Sequence, residues 1–142
     1  MQPIAQKTNH TLEFIQQRDI RVYADRIQLK RVIKNLIQNA ISYGEPNFPI
    51  EVSIGEIPQY IVIKVKDYGA GISKTDIDKI FNKYYSAAKK FRKIGTGLGL
   101  YLALQIIKSH NGELSVESEE GNFTEFTIKL PAVMNINLHY GE

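Results

Sequence analysis

The sequence contains no cysteine among its 142 residues. Disulfides and thiolate metal sites are therefore excluded as ways of holding the fold, which is compatible with a cytosolic location. No apolar run reaches the roughly 18 residues that span a bilayer. The N-terminal MQPIAQKTNH also lacks the charged start and apolar centre of a signal peptide. We therefore expect neither a membrane span nor a secretory leader in this sequence.

Neither charge sign is in large excess, because 18 Lys and Arg face 15 Asp and Glu and leave a net charge of +3. An excess that small does not by itself imply nucleic-acid binding. Hydrophobic residues make up 43% and charged residues 23%, as is ordinary for a globular protein. The length suits one domain with a single core. We predict a domain over residues 1–131 and a C-terminal tail over residues 132–142.

Apolar periodicity and turn residues predict the secondary structure. Asp25 is expected to cap a helix that ends at Tyr43-Gly44, because apolar residues recur at helical spacing between these points. The β-branched runs 50–57 and 60–67 predict neighbouring antiparallel strands. The other predicted elements are strands near 10–17 and 20–24, a short helix capped by Ser73 over 73–81, a helix over 98–109 ended by Asn111-Gly112, and a last hairpin over 113–130. This order fits a mixed or antiparallel sheet with helices on one face.

Three alternating glycines, Gly95, Gly97 and Gly99, lead into the helix in KIGTGLGLYLALQII. The spacing is not that of a Walker loop, since no Lys-Ser/Thr follows, nor that of the G-x-G-x-x-G dinucleotide fingerprint. Glycines at the start of a helix still allow backbone N–H groups to approach an anion closely. The pattern therefore indicates either a phosphate site or a tight structural turn.

The segment DYGAGI places a carboxylate, Asp67, at the end of an apolar strand and directly before two glycines. A buried aspartate must find hydrogen-bond donors, because leaving it unpaired costs several kcal/mol by rough estimate. The exocyclic amine of a base is one such donor. The alternative is an aspartate that caps its own turn.

Amide side chains form a ladder on the first helix, where Asn35, Asn39 and Tyr43 are four residues apart and share a face. An asparagine oxygen is a suitable ligand for Mg²⁺, a cation that also keeps phosphate oxygens. The alternative is an amide that bonds to the backbone.

The segment between Phe81 and Gly95 carries only basic charge, at Lys83, Lys89, Lys90, Arg92 and Lys93. Such a run is usually a solvated surface. Directly before a phosphate-binding turn, it could also close over a polyphosphate. Nucleic-acid binding is disfavoured, because aromatic residues are not interleaved with an extended basic face.

Together and in this order, these patterns resemble the GHKL ATP-binding fold and, within it, the catalytic domain of sensor histidine kinases. NLIQNAISYG resembles the asparagine motif, DYGAGI the first glycine motif and IFNKYY the phenylalanine motif of that family. GTGLGLYLALQIIKSHNGELSVES is similar to the second glycine motif with the helix and strand behind it, and GNFTEFTIKLP resembles the last motif. The resemblance extends from about Val22 to Pro131.

The resemblance implies an α+β fold, a two-layer α/β sandwich of the Bergerat type. Its mixed, mostly antiparallel sheet would have three helices on one face and would hold ATP on that side. The implied nucleotide-contacting residues are Asn35, Asn39, Tyr43, Asp67, Gly69, Gly71, Ile72, Tyr84, Lys93, Gly95, Thr96, Gly97, Leu98, Gly99, Leu100 and Thr124.

The family's roles carry over onto individual residues of this set. Asn39 would bind Mg²⁺, and Asn35 would lie beside the phosphates, which Gly95, Gly97 and Gly99 would wrap. Asp67 would accept a hydrogen bond from the adenine amine, Gly71 would let the base approach, and Tyr43 would line the adenine pocket. Phe81 and Tyr84 would anchor the lid, and Thr124 would face the nucleotide from the last hairpin.

Two positions depart from the family pattern. Ser42 stands where kinases often carry Lys or Arg, so one phosphate contact is absent or comes from the lid. Phe123 replaces the second glycine of the last motif, which challenges the close approach of this hairpin. These departures support the alternative of a degenerate nucleotide-binding or docking module without transfer activity.

Asn35 separates the two active branches of the family. The hydrolysing branch has a glutamate one turn before the metal-binding asparagine, whereas an amide cannot take a proton from water. The kinase branch needs a histidine acceptor. Of the three histidines, His10 reads as strand, His139 lies in the tail, and His110 ends a helix, where a positive imidazole suits the dipole.

The resemblance thus implies a cytoplasmic protein-histidine kinase module that binds ATP and Mg²⁺ and provides no catalytic side chain of its own. Its partner would be a histidine-bearing dimerisation domain of a parent kinase, which could be membrane-anchored, and indirectly a response regulator. Neither nucleic acid nor a membrane is expected to contact this domain.

Overall fold

A computed structural model describes residues 11–16, 24–85 and 98–132 of the chain. These residues form a five-stranded sheet and two α-helices. In chain order the elements are β1 (Thr11–Gln16), α1 (Arg26–Tyr43), β2 (Pro49–Ile57), β3 (Tyr60–Asp67), α2 (Gly99–Ser109), β4 (Glu113–Glu119) and β5 (Phe123–Pro131). No helix within these ranges has both the length and the apolarity to cross a bilayer.

The strands lie in the order β1-β2-β3-β5-β4. β1 and β2 are parallel, and the other three pairs are antiparallel, which confirms the mixed, mostly antiparallel sheet. Inward-facing residues alternate along each central strand, as Ile61, Ile63, Val65 and Asp67 do in β3. Both helices contact the sheet. The α+β fold with helices on one sheet face is therefore confirmed.

Helix α1 begins where the sequence predicts. The Asp25 carboxylate accepts a 3.0 Å hydrogen bond from the backbone N–H of Gln28, and the helix ends at Tyr43 with Gly44 as its C-cap. Its apolar stripe is buried against the sheet and α2; the fully buried members are Val32, Leu36, Ile37, Ala40 and Ile41. That burial stabilises the helix more than its intrinsic propensity does.

Helix α2 lies antiparallel beside α1 and is linked to it near both ends. At one end Asn35 Nδ2 donates to the Gly99 carbonyl oxygen at 3.3 Å. At the other end the Asp25 backbone N–H donates to His110 Nε2 at 3.1 Å, and His110 Nδ1 lies 2.9 Å from the Ile106 carbonyl. A ring nitrogen that accepts an N–H must carry a lone pair. Through these two contacts the His110 ring connects the C-terminus of α2 to the start of α1.

The predicted third helix, over residues 73–81, is not formed. Ser73 caps the segment as expected, because its Oγ accepts from the Asp76 N–H at 3.3 Å. The chain then continues as successive turns, including a 2.8 Å bond from the Lys79 N–H to the Asp76 carbonyl. Only Ile80 in this stretch is fully buried. A helix of nine residues is marginal without packing along its length, which explains the difference.

The last two strands form the predicted hairpin around Glu119–Asn122. Pro131 still pairs with Tyr60, and the Ala132 N–H donates to the Gln59 carbonyl at 2.9 Å. The strand predicted near 20–24, the first ten residues and the tail from 133 onward lie outside the described residues. The division at residue 131 remains a prediction.

Candidate functional site

The end of β3 presents a buried carboxylate. Asp67 is 2% exposed, and its Oδ1 atom has no hydrogen-bond partner among the described residues. Burial raises the pKa of the Asp67 carboxyl from 3.8 to about 7, since a low-dielectric surrounding disfavours the charged form. A polar atom left unpaired inside a protein is costly. The position is therefore suited to a ligand that brings its own donor.

The loop after Asp67 is joined to the C-terminus of α1. Gly44 and Gly69 form an isolated antiparallel bridge, and the Glu45 N–H donates to the Tyr68 carbonyl at 3.0 Å. A Cβ at Gly69 would lie 2.2 Å from the Tyr43 carbonyl oxygen. Only glycine permits this approach, which brings the end of α1 next to the end of β3.

The same loop is joined on its other side to the β4–β5 hairpin. The Gly121 N–H donates to the Ala70 carbonyl at 2.6 Å. Gly71 has a φ of +72°, and a Cβ there would lie 2.3 Å from the Glu119 carbonyl oxygen. The space beside Gly71 is thus filled by the hairpin backbone. The reason expected for this glycine, access for a base, is not the one the structure gives.

A hydroxyl pair lies beside Asp67. Thr124, 5% exposed, is the cross-strand partner of Asp67, and its Oγ1 lies 3.0 Å from Ser118 Oγ. Ser118 also accepts from the Ile72 N–H at 2.8 Å and donates to the Phe123 carbonyl at 2.7 Å. Ser118 was missed from the sequence, although it follows Leu114 and Val116 at alternate positions on the inner side of β4. We call residues 67–72 with Ser118 and Thr124 the β3 end.

The amide ladder leads from the β3 end to the start of α2. The Tyr43 backbone carbonyl lies close to Gly69. Asn35, two turns earlier and roughly 12 Å along the axis, bonds to Gly99. Asn39 lies between them and is half-buried. We call Asn35, Asn39 and residues 98–100 the helix end. No group of three His, Asp or Glu side chains suited to a metal occurs within the described ranges. The role of Asn39 as a Mg²⁺ ligand remains a prediction.

The phenylalanine motif is anchored differently from the prediction. Phe81 packs edge-on against Phe126 with ring centroids 6.1 Å apart. Tyr84, in contrast, is 66% exposed and has a φ of +67°, and most of the lid that it is expected to anchor lies outside the described residues. Tyr85 packs against the core instead and hydrogen-bonds to Asp76. Lys93, Gly95, Thr96 and Gly97 lie outside the described residues.

The replacement of the last motif's glycine by Phe123 leaves the site open. Residues of β5 alternate, so the neighbouring Thr124 faces the helices while the Phe123 ring lies on the opposite face of the sheet. There the Lys66 ammonium lies 4.7 Å from the Phe123 ring centroid and 5.0 Å from that of Tyr68. The aromatic side chain therefore does not enter the space beside Asp67.

The described residues fit an adenine nucleotide. The β3 end offers the unpaired Asp67 oxygen, the glycine loop and the buried Thr124 hydroxyl. The helix end offers asparagine amides and the N-terminus of α2. An aminopurine supplies the donor that Asp67 lacks, and phosphate suits the N-terminus of α2.

Comparison with known proteins agrees with this chemistry. The family described as histidine kinase-, DNA gyrase B- and HSP90-like ATPase matches residues 24–134, and the chain belongs to that family. The sensor histidine kinase WalK of Bacillus subtilis is 38% identical over 129 residues, which are 84% of this chain and 21% of WalK. The chain thus spans about a fifth of that relative's length.

Solved structures show the same fold. The catalytic domain of the histidine kinase ThkA is 30% identical, with a TM-score of 0.79, over 92% of this chain and 84% of that domain. Full-length ShkA, which was crystallised in complex with AMPPNP, is 22% identical with a TM-score of 0.81, over 93% of this chain and 27% of ShkA. The ShkA likeness concerns the fold alone.

Proposed function

We propose that this chain is the ATP-binding catalytic domain of a sensor histidine kinase. It binds Mg-ATP and delivers the γ-phosphoryl group to a histidine on a separate dimerisation domain, from which a response regulator is phosphorylated. The observation that carries the proposal is the unpaired, 2% exposed Asp67 carboxylate at one end of an amide ladder whose other end meets the start of α2.

The β3 end holds the base. Asp67 accepts a hydrogen bond from the exocyclic amine, and Gly69, Gly71 and Ile72 hold the loop that places it. Thr124 faces the base from β5, and Tyr43 lines the adenine pocket. Tyr84 is proposed to anchor the lid together with Phe81. The parallel case is ShkA, a protein of the same fold with AMPPNP bound.

The helix end holds the phosphates. The first N–H groups of α2, at Leu98, Gly99 and Leu100, carry the partial positive charge of a helix N-terminus. Gly95, Thr96 and Gly97 are proposed to bind the phosphate oxygens, and Lys93 to neutralise their charge. Asn39 binds Mg²⁺, which supplies charge neutralisation to the phosphate oxygens when it is bound.

Transfer to a histidine is favoured over hydrolysis. Hydrolysis needs a general base near the attacking water, and the position that would hold it carries Asn35, whose amide donates to the Gly99 carbonyl. The acceptor is proposed to lie on another domain; His110, the one histidine among the described residues, has both ring nitrogens engaged. The parent kinase is proposed to keep this domain in the cytoplasm, with no contact to membrane or nucleic acid.

Nucleotide binding is tested by titrating ATP into the chain with and without Mg²⁺. Asn39→Ala should abolish the Mg²⁺-dependent part of binding, whereas Gln38→Ala, an exposed amide one residue away, should change nothing. Asp67→Asn should reduce the preference for ATP over inosine triphosphate more than it reduces triphosphate affinity. Unchanged ATP affinity in both site variants would contradict the proposal.

Transfer is tested by adding a histidine-bearing dimerisation domain and following acid-labile label from γ-labelled ATP. Label on the added histidine supports the kinase assignment. Binding without transfer points to the degenerate docking module, and phosphate release without a partner points to the ATPase branch. Efficient labelling of the isolated chain would show that its acceptor is internal.

A further inference from the structure

Ser118 lies at the centre of a saturated hydrogen-bond group. Its Oγ atom is 2.8 Å from the Ile72 backbone N, 2.7 Å from the Phe123 carbonyl oxygen and 3.0 Å from Thr124 Oγ1. A serine hydroxyl has one proton to donate and two lone pairs that accept. The Phe123 carbonyl is only an acceptor, so it takes the Ser118 proton.

The remaining two contacts must then be donated to Ser118. The Ile72 N–H is only a donor and uses one lone pair. The Thr124 hydroxyl uses the other, because Ser118 has no second proton. Thr124 Oγ1 therefore directs its proton away from Asp67 and keeps only lone pairs for a ligand.

Ser118 thus takes up the proton of Thr124, the cross-strand partner of Asp67, and the N–H of Ile72 in the loop that follows Asp67. Asp67 and Thr124 project from directly opposed positions of β3 and β5, both on the buried face, where paired Cβ atoms are about 4.5–5.5 Å apart. Above about pH 7, where the Asp67 carboxyl has lost its proton, both present acceptors there. A ligand edge with an amino group is accommodated, whereas a carbonyl meets lone pairs and no proton.

We propose that Ser118 is a positioning residue that sets base preference, by holding the protons of Thr124 and Ile72 away from the ligand. This inference rests on the proposed nucleotide function and extends it to the chemical class of base. It predicts selection for 6-amino purines over 6-oxo purines by a residue that does not itself contact the base.

The test compares ATP with inosine triphosphate at pH 8, where the Asp67 carboxyl is ionised. Inosine triphosphate keeps the triphosphate but has a carbonyl in place of the 6-amino group and a proton on N1. Both Kd values are measured by calorimetry on the full 142-residue chain with Mg²⁺. Ser118→Ala releases the Thr124 and Ile72 protons, so the ATP/inosine triphosphate affinity ratio should fall by about tenfold, the effect of about one hydrogen bond. Ser118→Thr retains the hydroxyl and should retain most of the ratio.

Ser115→Ala is the matched control, because Ser115 is an exposed serine on the same strand and should leave both affinities unchanged. If Ser118→Ala does not fold, Ser118→Cys keeps the size but replaces the oxygen by a weak acceptor, and the ratio should fall in the same direction. A merely structural Ser118 would weaken both nucleotides by one factor, and that result, or an unchanged ratio, overturns the inference.

The outcomes also distinguish the role of Ser118 from the proposed nucleotide binding. A wild-type chain that binds neither nucleotide overturns both. A wild-type chain that prefers ATP, with the same preference in Ser118→Ala, overturns only the role of Ser118.

Discussion

The β3 end and the helix end of the site are constructed in different ways. At the β3 end, backbone meets backbone on two sides of the loop, at Gly69 against Tyr43 and at Gly71 against Glu119. At the helix end, the described contact is one 3.3 Å side-chain bond between Asn35 and Gly99. The β3 end is therefore fixed by backbone contacts before a ligand binds, whereas the helix end is joined through a side chain.

Because the two ends are built differently, substitutions in them should affect folding stability and ligand affinity in different ways. Changes at the β3 end should alter the free energy of unfolding and ligand affinity together, because the fold and the pocket share the same contacts. Changes at the helix end should alter affinity while leaving stability nearly intact. Variants of single residues test this division.

The largest expected effect is the pH dependence caused by Asp67. The folded chain holds this proton up to about pH 7, whereas the unfolded chain releases it near pH 3.8, so the free energy of unfolding falls as pH rises between these values and is then constant. At about 1.4 kcal/mol per pKa unit, the shift from 3.8 to about 7 corresponds to about 4 kcal/mol. Asp67→Asn should remove this decline.

The measurement is urea unfolding of the nucleotide-free chain at several pH values. Asp67→Asn should match the wild type near pH 4 and exceed its stability at pH 8, while binding ATP less well. Asp78→Asn, at an exposed carboxylate, serves as the control and should track the wild type. Parallel pH curves for wild type and Asp67→Asn would show that burial of Asp67 carries no such penalty.

Gly71→Ala should come next, with a loss of about 3 kcal/mol. The left-handed backbone costs a non-glycine residue about 1–2 kcal/mol, and the added Cβ would lie 2.3 Å from a backbone oxygen. Gly121→Ala is the matched control, since Gly121 has a φ of +83° but nothing within 4 Å of its Cβ position. Thermal unfolding should therefore show about 1 kcal/mol for Gly121→Ala. Equal losses would mean that the close approach to Glu119 is unimportant.

His110→Ala should cost about 1–2 kcal/mol, because it removes bonds to both Asp25 and Ile106. These bonds lie at the end of the helix pair remote from Gly99. Nucleotide affinity should therefore be unchanged, as calorimetry can establish beside the unfolding measurement. A substantial loss of affinity would link this remote end of the helices to the site.

Asn35→Ala should have the smallest effect on stability, under about 0.5 kcal/mol, because it removes one long, exposed hydrogen bond. Affinity for ATP should fall by several-fold. Comparison with Gly71→Ala by calorimetry and urea unfolding then sharpens the contrast between the two ends. If Asn35→Ala unfolds the chain, the division drawn above is wrong.

Local signals in the sequence were sufficient for much of the fold. The Asp25 cap, the strand turn at Pro58-Gln59 and the helix predicted over 98–109 depend on neighbouring residues. The structure confirms all three, with the helix starting one residue later, at Gly99. The helix predicted over 73–81 is absent, although the local sequence favours it, because only Ile80 in this stretch is buried against the core. Tertiary packing decides such short segments.

Site features that depend on strand pairing could not be read in the same way. The family motifs direct attention to Thr124, but the role of Ser118 follows from three bonds that reach Ile72, Phe123 and Thr124. The close approach of Gly71 to the Glu119 backbone also depends on strand pairing, because Glu119 belongs to the β4–β5 hairpin. Which of Tyr84 and Tyr85 packs inward also depended on a positive φ at Tyr84.

Because the Phe123 side chain points away from the site, position 123 is suited to a fluorescent probe of the β4–β5 hairpin. The chain contains no tryptophan, and the ring at position 123 lies against the Lys66 ammonium on the face away from the site. Phe123→Trp would place a single indole fluorophore one residue from Thr124 without occupying the pocket. Its emission would report movement of the hairpin as a ligand enters, with no label added to the nucleotide.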